Sequence, residues 1–115
     1  MLDRSAILKR DDLPKEMVNI PEWGGDVFVR TLTGTERDAF EQSMVQKKNK
    51  PNLNNLRARF AVLTVCDEKG DRLFTDNDSE ALGKKSASAL DRVFTVAQRL
   101  NGFSDSDSEE LSVKN

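Results

Sequence analysis

The stretch from Leu73 to Gly102 constrains the fold more than any other part of the chain. Leu73-Phe74 ends an extended piece, Thr75 or Asp76 caps a short helix, and Gly83 stops it. Ser86 then caps a longer helix over 86–101, in which Leu90, Val93, Phe94, Ala97 and Leu100 share one face. Gly102 stands where a left-handed C-terminal cap is wanted. Such a helix needs an apolar partner. The segment 53–65 supplies one, since Leu53, Leu56, Phe60 and Leu63 form a continuous stripe at helical spacing.

The rest of the chain reads as a hairpin and one further helix. Met17-Val18-Asn19-Ile20 alternates, with Val18 and Ile20 on one face, until Pro21 stops it. Trp23-Gly24-Gly25-Asp26 supplies a turn, and the β-branched and aromatic run 27–32 supplies the returning strand. Thr33 and Glu36 have the spacing of a capping box for a helix over 34–46 that presents Phe40 and Met44. Lys47 to Asn52, with Pro51 and two asparagines, makes a loop. Asp67 to Asp71 is a turn, across which Val65-Cys66 and Leu73-Phe74 form a second short hairpin. The expected fold is α+β and mainly α-helical, an N-terminal β-hairpin followed by a compact bundle of helices.

A chain of 115 residues suits one domain, and 37% hydrophobic against 33% charged residues implies a folded centre with frayed ends. Residues 1–12 read as a flexible N-terminal segment, where Ser5 could cap one helical turn. Residues 13–103 read as a single α+β domain. Residues 104–115 read as an acidic, partly disordered tail, with carboxylates at Asp105, Asp107, Glu109 and Glu110.

Composition removes most chemistry. The chain has no histidine, no tyrosine and one cysteine. Cys66 can form no intrachain disulfide or zinc quartet, and it follows Leu63 and Val65 in an apolar run that suits a buried, inert thiol. Asp76-Asn77-Asp78-Ser79-Glu80 resembles a calcium loop only superficially. The sixth and twelfth positions are Ala81 and Ala87, where glycine and glutamate are required. Asp67, Glu68, Asp71 and Asp76 offer paired carboxylates, but beside Lys69 and Arg72 they read as a solvated hairpin tip. No phosphate-cradling glycine motif occurs. The expectation is no enzyme, and no catalytic, cofactor-binding or metal-binding residues.

A net charge of −2 argues against nucleic acid. The local exception is Lys47, Lys48, Lys50, Arg57 and Arg59, read as a solvated loop and helix start in preference to a phosphate-contacting patch. The N-terminus lacks the apolar core of a signal peptide, and the longest apolar run, 60–66, is far too short for a membrane span. These features suggest a soluble, cytosolic protein without membrane contact. Trp23, beside two glycines at a hairpin tip, is a candidate partner-binding anchor; the alternative is that it closes the core over the helices. Phe40 and Met44 complete the candidate partner-binding set.

Several segments, in this order and spacing, resemble the tail assembly chaperones of siphophages and prophages. They are Leu13-Pro14, Pro21-Glu22-Trp23-Gly24-Gly25, Val29-Arg30-Thr31-Leu32, Glu36-Arg37-Asp38, Asn55-Leu56-Arg57-Ala58-Arg59, Asp67-Glu68 with Gly70, Leu73-Phe74, Ala81-Leu82-Gly83, Lys85-Ser86 and Leu100-Asn101-Gly102. The resemblance implies a non-catalytic protein of the host bacterial cytoplasm that is absent from the mature virion. It implies binding to the tape measure protein, which is kept soluble, and help in recruiting tail tube protein. It also implies a second, longer form made by ribosomal frameshifting. Val113-Lys114-Asn115 is compatible with a slippery codon run, although a chance ending is slightly favoured over it. The competing readings are a minor tail or tail-completion protein of the virion and a small nucleic-acid-binding regulator using the basic patch.

Overall fold

A computed structural model describes residues 1–45 and 52–102. Strand β1 (Lys15–Ile20) and strand β2 (Gly25–Arg30) pair antiparallel, from Lys15 opposite Arg30 to Ile20 opposite Gly25. Burial alternates along β1, with Glu16, Val18 and Ile20 on the covered side, as the apolar pattern requires. Between the strands lies a 3-10 turn, Pro21–Trp23. Proline ends the ladder because it has no N–H to donate. Gly24, at φ 75°, then adopts the left-handed backbone that turns the chain back.

The returning strand ends at Arg30 rather than Leu32. Thr31 still donates its N–H to Pro14 O, in register with the ladder, but Pro14 has no N–H to return, and Leu32 donates its N–H to the Asn101 side chain instead, so the ladder ends there. Strand β3 (Val65–Cys66) adds to β2, with Val65 opposite Val29 and Cys66 opposite Phe28. The sheet order is β1-β2-β3. The second hairpin is present in reduced form: Cys66 bridges Arg72, and Leu73 donates its N–H to Val65 O at 3.1 Å. Its turn is built on Asp67, whose Oδ1 accepts from the amides of Lys69 and Asp71 at 2.8 and 3.0 Å.

Helix α1 (Arg4–Lys9) lies in the N-terminal segment and buries none of its residues. Its cap is Asp3, which accepts from Ala6 N at 2.9 Å, and not Ser5. Helix α2 (Gly34–Ser43) starts at the expected capping box: Thr33 Oγ1 accepts from Glu36 N, and Glu36 Oε1 accepts from Thr33 N. It stops before residue 46 because Arg59 closes its end, donating to Ser43 O at 3.2 Å and Ser43 Oγ at 2.9 Å.

Helix α3 (Leu56–Thr64) is the centre of the molecule. The single apolar stripe read from its sequence is too narrow a description. Leu56, Ala58, Phe60, Ala61, Val62 and Thr64 are all buried, because α2, α4 and α5 surround it. Thr64 tolerates burial by donating its hydroxyl to Phe60 O at 2.8 Å. A 3-10 turn, Asp76–Asp78, leads into helix α4 (Ser79–Leu82), and Asp78 Oδ2 accepts from Thr75 N at 2.8 Å.

Gly83 is not a left-handed stop. Its φ is −62°, and its lack of a side chain answers a steric need, since a Cβ there would lie 2.9 Å from Asn55 Oδ1. Helix α5 (Ala87–Leu100) is capped by Ser86, whose Oγ accepts from Ala89 N. Its buried residues are Ala89, Leu90, Val93 and Ala97, with Phe94 and Leu100 half-buried against the core. Gly102 has φ 76°, the left-handed conformation expected of it. The α5 face packs across both α3 and the covered side of the β1-β2 hairpin. Rings link the layers: Phe40 stacks on Phe60 at 4.8 Å, and Phe60 meets Phe94 edge-on at 5.7 Å.

Candidate partner-binding surface

The three residues marked as partner contacts do not share one surface. Phe40 and Met44 are only 3% and 7% exposed. Phe40 is held by Phe60, and Met44 Sδ lies 3.5 Å from an Arg59 nitrogen. In this conformation both serve the core, because the helix face that carries them turns toward α3. Trp23 is half-buried and packs on the core from the hairpin corner, so it closes the core and also presents surface. The corner is fixed to α5 by an ion pair between Glu22 and Arg92 at 2.9 Å. The Arg92 hydrogen bond holds the Glu22 carboxyl below its ordinary value of 4.5.

The large apolar side chains exposed among the described residues lie elsewhere. They are Met1, Leu2, Ile7 and Leu8 at the N-terminus, Met17 on β1, Val45 and Leu73. Met17 was legible in the sequence: it alternates with Val18 and therefore points away from the core. Its cross-strand partner is Phe28, over whose ring Lys15 Nζ sits at 5.7 Å. This outer side of the sheet offers apolar area beside a cation. Such a surface suits contact with another protein, not chemistry on a small molecule.

The two described residues of the basic segment, Arg57 and Arg59, are engaged inside the fold. Arg57 pairs with Asp91 and lies over the Phe94 ring. Arg59 fastens α2 to the chain entering α3, donating also to Asn52 O, and burial lowers its pKa. Lys47, Lys48 and Lys50 lie outside the described residues, as does most of the 47–52 loop. The acidic tail lies outside them too.

Cys66 is 1% exposed, and burial pushes its thiol pKa up, away from thiolate chemistry. Asp67 is lowered instead, chiefly by the backbone hydrogen bond from Asp71, which marks it as a turn-former. Among the described residues no group of three or more histidines, cysteines or carboxylates is placed to hold a metal ion. No helix among them is long and apolar enough to cross a membrane.

Comparison with known proteins places this architecture. A solved structure of the bacteriophage HK97 tail assembly chaperone superposes with a TM-score of 0.62 at 20% sequence identity, covering 89% of this chain and 94% of that one. At that identity the likeness concerns the fold. No curated protein sequence matches the chain. The sequence pattern of the family described as phage tail assembly chaperone matches residues 3–114. With nearly every residue inside that match, the chain belongs to the phage tail assembly chaperone family.

Proposed function

We propose that this chain binds the tape measure protein of its phage, keeps that long helical protein soluble, and helps bring tail tube protein to it. The observation that carries the reading is the family match over residues 3–114. The surface supports it. Met17 and Phe28 on the outer side of the sheet, with the partly exposed Trp23, give apolar area of the kind that covers another protein's helix. Site of action would be the host cytoplasm, before the tail is complete, and the protein would not persist in the virion.

Co-expression tests the proposal. With the tape measure protein of the same phage, the chain is expected to raise the soluble fraction and to co-purify with it. With both proteins expressed, no rescue and no co-purification would sink the reading. Recovery of the chain from purified particles would instead favour a minor tail protein.

A further inference from the structure

Strand β1 lies at the edge of the sheet, with β2 on one side and no strand on the other among the described residues. We propose that this edge pairs antiparallel with β1 of a second copy, about a two-fold axis at Met17, and so joins two three-stranded sheets into one.

The hydrogen-bond register identifies the free groups. Thr31 N–H reaches Pro14 O at 3.1 Å, and these two residues continue the register that sets Lys15 opposite Arg30. Antiparallel pairs alternate between bonded and non-bonded. Glu16, Val18 and Ile20 therefore bond their partners on β2, while the N–H and C=O groups of Lys15, Met17 and Asn19 point out of the edge. The neighbouring seam obeys the same alternation: Phe28, turned away from β1, faces Cys66, and Val65, turned away from β2, accepts from Leu73 N. Pro14 and Pro21 bracket the edge, and neither a proline nor a bulge interrupts it between them. Edges that are to stay unpaired usually carry such an interruption.

The register centred on Met17 uses every outward group. Met17 then faces Met17 of the second copy, and Lys15 faces its Asn19. A slide by two residues brings in Pro21, which has no N–H and lies in a 3-10 turn, or Leu13, which lies outside the strand.

The side chains favour the same register, because residues paired across strands share one side of the sheet. Met17, 60% exposed, meets its equivalent on the outer side, flanked by the Phe28 of each copy. Lys15 comes beside an Asn19 whose amide donates to Asp26 at 2.8 Å, so a cation approaches a carboxylate at both ends of the seam. On the inner side Glu16 is already paired with Arg99 at 2.7 Å and brings no free negative charge to the seam. The two Met17-Phe28 patches become one apolar strip. This pairing belongs to the chain alone and does not depend on the tape measure reading.

Sedimentation velocity and amide hydrogen exchange on the full chain alone provide the test. A concentration-dependent dimer is expected, with the amides of Lys15, Met17 and Asn19 gaining protection as it forms. Met17→Pro removes an outward N–H without touching the β1-β2 bonds, and Met17→Lys sets like charges on the axis. Each should weaken the dimer at least about tenfold. Met17→Leu should keep its affinity within about twofold. If Met17→Pro fails to fold, Met17→Lys decides, since that side chain is exposed. A monomer at every concentration would overturn the proposal, as would a dimer that Met17→Lys leaves intact. Protection of these amides only with the tape measure protein bound would assign the edge to that partner and also overturn it.

Discussion

Arg30 and Glu36 meet face to face, Nη1 to Oε1 at 3.0 Å and Nη2 to Oε2 at 2.9 Å. The pair ties the end of β2 to the first turn of α2. Glu36 Oε1 also accepts from Thr33 N, so one carboxylate closes a helix cap and neutralises a buried guanidinium. Arg30 is only 4% exposed, and its remaining Nη1 bond goes to Thr31 O. Bidentate geometry of this kind is the strong form of an ion pair.

Removing one partner should therefore be worse than removing both. Glu36→Ala leaves Arg30 buried and uncompensated, with an expected cost of about 3 kcal/mol in urea unfolding. The double variant Arg30→Met/Glu36→Leu should cost less than Glu36→Ala alone, because no charge is left stranded. Additive losses would mean that the pair acts as two independent surface groups.

The same carboxylate sets part of the acid sensitivity. Burial would raise its pKa, but the Arg30 hydrogen bonds, the Thr33 amide and the charges of Arg30 and Arg72 outweigh this, and the net shift is below 4.5. With the folded value lower than the unfolded one, the unfolded chain binds the proton more readily. Stability from this group is fully present above 4.5 and is lost as pH falls through the folded value. Unfolding followed by Trp23 fluorescence should show a steeper acid loss in the native chain than in Glu36→Gln. Parallel profiles would remove Glu36 from the acid response.

Among the aromatics, the ring order predicts the ranking of losses. Phe60 touches both Phe40 and Phe94 and is 1% exposed. Phe60→Ala should cost about 3–5 kcal/mol, close to the whole stability of a small domain. Phe94→Ala should cost less, because half-buried Phe94 gives one ring face to Arg57 and solvent. Calorimetric melting temperatures in the reverse order would mean that the α5 face, not α3, anchors the core.

Much of this was legible in sequence. The Thr33-Glu36 box, the Ser86 cap and the left-handed Gly102 are local signals, set by residues three or four apart, and such chemistry survives any tertiary context. What failed was non-local. Nothing near Val65-Cys66 announces that β2 lies beside it, and a stripe of four residues on α3 cannot report that three other helices surround it. Nor does the helical spacing of Phe40 and Met44 say what covers them, since Arg59, sixteen and fifteen residues from Ser43 and Met44, is what draws the end of α2 inward. The outward side of the sheet was readable from the Met17-Val18 alternation alone.

Gly83 illustrates a glycine whose role only packing reveals. A Cβ at this position would stand 2.9 Å from Asn55 Oδ1 and 3.2 Å from Ser79 O. Gly83→Ala should cost about 1 kcal/mol, because the Asn55 side chain must move. Asn55 itself holds φ 50°, which glycine adopts freely. In an Asn55→Gly background the Gly83→Ala cost should shrink. An undiminished cost would place the strain at Ser79 instead.

Asn101 reaches back 69 positions to Leu32. Its Oδ1 accepts from Leu32 N at 2.7 Å, its Nδ2 donates to Ala97 O at 2.8 Å, and its own carbonyl accepts from Arg37. The Leu32 amide lies two residues beyond the end of β2, and Leu32 is 9% exposed, so it has little water to turn to. Asn101→Ala should leave that donor unpaired and cost about 1–3 kcal/mol. Asn101→Asp keeps the acceptor and should recover the Leu32 contribution while losing the bond to Ala97 O. Amide exchange at Leu32 gives a local readout: it should accelerate in Asn101→Ala and stay protected in Asn101→Asp. Equal protection in both variants would show that the sheet end is held without the side chain, and that α5 is fastened to the hairpin by packing alone.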